Sequence, residues 1–429
     1  MARDVPDGGR PRPLSGIRAI DVAGPFGAYA GRLLADLGAT VTRVVPPDGD
    51  PLAAERPVVP TADGPASAFA WFVNLDKDVV VLDLKQPAGR AGMAELLDSA
   101  DILLESWGHD RDAWGRWDRA ELATRFPNLI VVSITPFGLD GPRGGDAGTD
   151  LVALAAGGLL SLGGYPDGAP IATHGQAQLG ASIFGAAAAI FGLIARDVDG
   201  RGRQLDVAAQ EVVAAALEDA IPQFDLTGTV RRRAGDTPRE AGSGIYRCTD
   251  GYVSMVAGRL GTAKAWRSLV AWLVEAGADG AEALLGDAWD SFPHRQRPES
   301  VQAFATIFEG FAARHSKVEL YEEAQRRDIA LAPVNEVSEV LADRQLTARR
   351  FFVPLEVPEL GRSVLVPGRP YRLSDDGPFE PRLARVLDDP GPTAAVPVTA
   401  ATSRRIADPT PAGAPSRVGA SLARAPSES

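Results

Sequence analysis

Asp150 is a carboxylate set where this chain's sequence is most unusual. It lies within Thr135 to Gly164 (TPFGLDGPRGGDAGTDLVALAAGGLLSLGG), a stretch crowded with glycine and proline, and it opens the apolar run that follows. Aspartate is a leading helix N-cap residue, so the local pattern has a plain structural reading. It has a sharper one too. A carboxylate set at a helix start stands beside glycines that let a substrate backbone or thioester come close. The two readings are compatible. The segment also leaves the apolar run Leu129 to Ile134 at its carboxyl end, where open α/β sheets carry their sites.

Other chemistry is less well supported. Cys248 is the sole cysteine, which excludes an internal disulfide and any cysteine-rich cluster; it reads as a half-buried strand residue. His109, His174, His294 and His315 are far apart, and none forms an HExxH or HxH pair, so no metal site is expected. The first strand–helix turn reads Ala23-Gly24-Pro25-Phe26-Gly27, which is not GxGxxG, and GxxxxGK[ST] is absent. A classical dinucleotide site or P-loop is therefore not expected. A helix starting near Phe26 can still meet a phosphate through its free amides.

These residues need elements to position them. Ile17–Val22 reads as a buried strand, Phe26, Ala30, Leu33, Leu34 and Leu37 mark one helical face, Gly38 stops that helix, and Thr40–Val45 is the next strand. Strand, helix, strand recurs over 79–84, 87–100 and 101–104; Asp118 with Glu121 signals a short helix, and 129–134 is a further strand. Alternation of this kind implies an α/β fold with a doubly wound parallel sheet. Residues 150–220 read as mostly helical, with Leu179 to Ala195 apolar and uncharged enough to test the soluble reading. A core helix apolar all round is expected there, its small residues admitting another backbone within the fold or across a dimer. A hairpin is expected over 245–256 with Asp250-Gly251 as its turn, and helices over 262–276, 299–314 and 317–327.

The division expected is a flexible leader at 1–15, a large domain over 16–225, a smaller α+β domain over 226–330, a return to the large domain over 331–389, and a disordered Pro/Ala/Ser-rich tail at 390–429. A net charge of −12 argues against nucleic-acid and anionic-membrane partners. No apolar leader segment is evident, so a cytoplasmic protein is expected. Only 4 of the 44 basic residues are lysines, so Lys77 stands out while a single arginine does not.

With these motifs in view, the chain resembles a class III CoA-transferase of the carnitine- and formyl-CoA-transferase type. The resemblance runs in order through LSGIRAIDVAGPFGAYAGRLLADLGATVTRV (15–44), DGDPL (48–52), NLDKDVVVLDLK (74–85), ADILLESW (100–107), FPNLIVVSITPFGLDGP (126–142), TDLVALAAGGLLSLGG (149–164), GRGRQLDVAAQE (200–211), CTDGYVSM (248–255) and ELYEEAQRRDIALAPVNEVSEVLADRQLTARRFF (319–352). It spans about 15–375.

The resemblance implies a Rossmann-like large domain built from both chain ends, a small domain, and an interlocked homodimer. It implies that Asp150 is the nucleophile, forming a mixed anhydride with the acyl group and then an aspartyl-CoA thioester that an incoming carboxylate resolves. Acyl-CoA and a free carboxylic acid are the implied small-molecule partners; coenzyme A enters as substrate, and no permanently bound cofactor or metal is implied. Implied CoA contacts are Gly24, Pro25, Phe26, Arg43, Lys77, Ser106, Trp107, Arg111 and Arg143. Amides near Gly138, Gly157–Gly158 or Gly242–Gly244 are candidate oxyanion donors. An α-methylacyl-CoA racemase shares the resemblance, but its His–Asp pair is replaced by Thr149–Asp150 and its second acidic turn by His174-Gly175-Gln176-Ala177. A non-catalytic acyl-CoA-binding protein is the other alternative.

Overall fold

The computed structural model describes residues 12–62, 64–107, 119–235, 238–257, 263–374 and 379–387. The expected leader (apart from its last residues), Arg111, Asp118 and the C-terminal tail lie outside them.

A seven-stranded sheet, parallel throughout, forms the centre. Its elements in chain order are β1 (Arg18–Asp21), α1 (Ala28–Asp36), β2 (Thr40–Val45), β3 (Asp78–Val81), α2 (Pro87–Asp98), β4 (Ile102–Glu105), α3 (Arg119–Arg125), β5 (Ile130–Thr135), α4 (Asp150–Ala156), α5 (Gln176–Asp199) and β6 (Gln204–Ala208). With β12 (Arg385–Val386) at one edge, the spatial order is β12-β3-β2-β1-β4-β5-β6. The order reverses between β1 and β4, so the crevice outside their carboxyl ends is the topological switch point. Strand β6 was not anticipated within the region read as helical. Its QLDVA alternates in burial and pairs with β5 from Val131↔Gln204 to Thr135↔Ala208.

Apolar layers cover both faces. Ala19, Val41, Leu104, Val132 and Ile134 pack against α1 and α5. Ile20, Val44, Val80, Leu103 and Val131 pack against Met93 and Leu97 of α2 and Leu122 of α3. Helix α5 lies so close to β5 that a Cβ at Gly185 would come within 2.3 Å of Ile134 Cδ1, which explains the glycine. Only one face of α5 is covered, by way of Ala177, Ala181, Gly185, Ala189 and Leu193. Ile183, Phe184, Phe191, Ile194 and Val198 are exposed, Phe191 by 66%. The expectation of a helix buried all round is thus corrected. It is the one described helix long and apolar enough to cross a membrane, with half of that window buried in the fold.

A second core surrounds a three-stranded antiparallel sheet, β7 (Ser243–Cys248), β8 (Gly251–Val256) and β9 (Ala330–Pro333), with Trp266, Leu269, Phe304, Phe308 and Leu320 on its helices. The β7–β8 turn is Thr249-Asp250, one residue earlier than expected. Cys248 is buried there, and burial pushes its thiol up. The chain then forms a helix at Arg344–Ala348 and the hairpin β10 (Phe352–Val357) and β11 (Arg362–Pro367) before reaching β12.

Candidate active site

Thr149 leaves the extended region and Asp150 is the first residue of α4. Its carboxylate does not cap its own helix; it turns to the start of α5. Oδ2 accepts a hydrogen bond from Gly175 N at 2.8 Å, and Oδ1 accepts from Ala177 N at 2.8 Å and Gln178 N at 3.0 Å. The two helix starts are therefore tied by one side chain, and Asp150 is only 3% exposed. Helix α5 has 24 residues, so its amino end presents amides and a positive dipole to this carboxylate. Three of the candidate oxyanion donors are engaged within their own turns. Gly138 N donates to Thr135 Oγ1, Gly157 N to Ala153 O and Gly158 N to Ala155 O. Gly175, in a left-handed conformation at φ 85°, was the missed signal, standing directly before the small-residue helix.

The second group lies at the switch point. Gly24 and Pro25 are half-buried and Phe26 is buried. Helix α1 begins at Ala28, two residues later than expected, because Gly27 N and Ala28 N both donate to Gly24 O. The turn is fixed to α5 by Ser182 Oγ, which donates to Phe26 O at 2.8 Å. Ser106 follows β4 across the crevice; a Cβ at Gly27 would lie 3.3 Å from its Oγ. Among the described residues, Ser106 Oγ and Trp107 Nε1 are buried without a hydrogen-bond partner. Ser106, an idle donor beside a glycine turn, fits a ligand lodged there, while Trp107 packs against the core under α2 and α3. Arg143 is exposed, its guanidinium over the Phe137 ring.

Arg43 and Lys77, which the resemblance implies as CoA contacts, are both buried and engaged in internal ion pairs. Lys77 is fully buried, and Nζ donates to Asp21 Oδ2 (2.6 Å), Ala28 O (2.8 Å) and Asn74 Oδ1 (3.1 Å). Arg43 forks onto Asp50 (2.7 Å to each oxygen) and reaches Asp21 Oδ1 at 3.2 Å. Two acids thus balance two bases beneath α1. Gly31 makes the room, since a Cβ there would lie 2.6 Å from Asp21 Oδ2. Burial pushes the Asp50 carboxyl up, but the Arg43 hydrogen bonds and charge outweigh it and hold it below its ordinary range. These cations stitch strand ends together and present no charge to a ligand. Sequence reasoning also missed Glu105. It ends β4, is buried, and accepts from Trp107 N; burial pushes its carboxyl up, opposed by the Ser133 hydroxyl.

Known proteins resemble this arrangement. A solved CaiB/BaiF family protein from Brucella suis superposes with a TM-score of 0.74, covering 88% of this chain and 96% of its own at 24% identity, a likeness of fold. A subunit of succinyl-CoA:(R)-benzylsuccinate CoA-transferase from Thauera aromatica is 33% identical over 84% of this chain and 88% of its own. A succinate–glutarate CoA-transferase from Agrobacterium fabrum is 30% identical over 85% and 89%. A formyl-CoA:oxalate CoA-transferase from Streptomyces avermitilis is 29% identical over 84% and 90%. The sequence model of CoA-transferase family III matches residues 14–384, and the chain belongs to that family.

Proposed function

We propose that this chain, an acyl-CoA:carboxylate CoA-transferase by family, uses Asp150 as its nucleophile. The observation that carries the reading is the seating of both Asp150 oxygens on amides at the start of α5. Among the described residues Oδ2 has a single partner, Gly175 N, at the end of a stretch (165–174) that is exposed throughout. Because Asp150 is 3% exposed, this oxygen must leave Gly175 before it strikes a thioester, and that stretch is where the site must open.

Oδ2 attacks the thioester carbonyl; the C–S bond breaks, and an aspartyl–acyl anhydride forms with release of CoA thiolate. The thiolate attacks Asp150 Cγ, giving the aspartyl-CoA thioester and the free acyl carboxylate. An incoming carboxylate repeats the two steps in reverse and leaves as the new CoA ester. Covalent catalysis divides one difficult exchange into easier ones. Charge developing on Oδ1 in each attack on Cγ would meet the Ala177 and Gln178 amides. The Gly24-Pro25-Phe26 turn, Ser106 and Trp107 would hold CoA, with Arg111 and Arg143 meeting its phosphates. Since two relatives are named for succinate or succinyl-CoA, succinyl-CoA is the first donor to test.

The exposed apolar face of α5, together with exposed Ile221, Phe224 and Leu226 on the helix Ala220–Thr227, supports a homodimer. The test of the chemistry is hydroxylamine added during turnover, followed by peptide mass spectrometry. A hydroxamate at Asp150 is expected. Continued turnover with no modified peptide would exclude the covalent route. Exchange of the substrate α-hydrogen with deuterium from solvent would favour the racemase instead.

A further inference from the structure

The base of the β10–β11 hairpin encloses a cavity of about 660 Å³, within the range of small-molecule sites, and none of its lining residues belongs to the site above. Four arginines line it: Arg349 and Arg350 where the chain enters β10, Arg369 and Arg372 where it leaves β11. The register explains their meeting. Phe352 pairs with Pro367, and Gly368 N donates to Phe351 O at 2.7 Å, so the antiparallel ribbon carries both pairs to the same end.

The arginines are not equivalent. Arg369 is held, its guanidinium 4.3 Å from the Phe379 ring centre and 3.7 Å from Asp36 Oδ1. Arg349, Arg350 and Arg372 are exposed and, among the described residues, make no ion pair. Arg350 also carries backbone strain. The helix Arg344–Ala348 ends with Arg350 N donating to Thr347 O and Phe351 N to Leu346 O, a Schellman turn whose left-handed position usually takes glycine. Arginine occupies it at φ 50°. Strain of this kind persists where surrounding structure enforces it and often accompanies function. Phe351, Tyr371 and Phe379 supply flat apolar walls.

Guanidinium forks lining one cavity suit phosphate oxygens, and the rings suit a planar base. In a chain of net charge −12 such attraction must act locally, within a Debye length of about 8 Å at physiological salt. We propose that this cavity binds a phosphate-bearing ligand with a flat ring, of the nucleotide class. The ligand is a free nucleotide, since CoA is assigned to the switch point, which shares no residue with this cavity.

Calorimetric titration of the full chain with ADP and with inorganic pyrophosphate tests this. One ADP per chain is expected, with affinity falling as salt rises. The double variant R349E/R372E should bind at least tenfold more weakly while melting at an unchanged temperature. Arg350→Gly separates binding from folding: it should melt at the same temperature or higher yet bind ADP severalfold more weakly. Saturating CoA is present in a parallel titration to fill the switch-point site. ADP binding that persists there supports the proposal, and complete displacement of ADP by CoA overturns it. No binding of ADP or pyrophosphate, or binding equal in wild type and both variants, overturns the proposal.

Discussion

Lys77 Nζ lies 2.6 Å from Asp21 Oδ2, and both side chains are sealed from solvent. The pair joins the end of β1 to the start of β3 beneath α1. Breaking a buried pair by removing one partner commonly costs about 3–5 kcal/mol, because the other charge is stranded. Asp21 keeps Arg43 and Ala23 N, so Lys77→Met should cost about 3 kcal/mol in urea unfolding at neutral pH. A change below about 1 kcal/mol would show that the pair holds nothing together.

The same lysine predicts a pH dependence. Burial lowers its ammonium to about 8; Asp21 pulls it back in part, and Arg43 adds to the lowering. Below that value folded and unfolded chains both hold the proton, and the contribution is constant. As pH rises from there toward the ordinary value of 10.5, the unfolded chain holds a proton that the folded chain has lost. Stability from this group therefore increases with pH in that window. The unfolding free energy of wild type minus that of Lys77→Met should grow by roughly 1–2 kcal/mol between about pH 7.5 and 9.5. A difference that shrinks would contradict the lowered ammonium.

Lys77 also shows what could be read from the sequence. Its rarity among 40 arginines marked it, and the strand pattern around it was legible because parallel strands buried on both faces read as apolar runs. Its partner was not legible, because Asp21 lies 56 residues away and only the sheet order brings the two together. The seat of Asp150 was hidden for the same reason: Gly175 and Ala177 reach it through a loop whose path no periodicity records. Strand β6 was missed because five residues between two helices give too little alternation to outweigh helical surroundings.

Asp150→Ala should separate two jobs. Three backbone amides lose their acceptor, so stability should fall by about 1–3 kcal/mol, a loss a domain of ordinary stability survives. CoA exchange should fall by roughly 10³-fold or more in the folded fraction. Asp150→Asn should regain part of the stability, since its oxygen can still face Ala177 and Gln178, and none of the turnover. Turnover that simply tracks the folded fraction would leave Asp150 with the helix-tying job alone.

Ser106→Ala tests the idle donor at the switch point. Removing a buried hydroxyl without a partner should leave stability unchanged or raise it by up to about 1 kcal/mol. If the hydroxyl meets CoA, KM for the CoA ester should rise severalfold while kcat changes less. Unchanged KM alongside raised stability would mean that Ser106 merely fills space against Gly27.

The uncovered face of α5 predicts assembly. Phe191 and Ile194 stand exposed on a helix whose other face is locked onto β5, so water meets an apolar strip along most of its length. Such strips usually belong to an interface. A double substitution to glutamate there should leave the monomer's core untouched, because neither side chain enters it. Sedimentation velocity should show wild type as a dimer and the variant shifted to monomer at micromolar concentration, with far-UV circular dichroism unchanged. Wild type sedimenting as a monomer would refute the homodimer, and a variant that remains dimeric would move the contact to another surface.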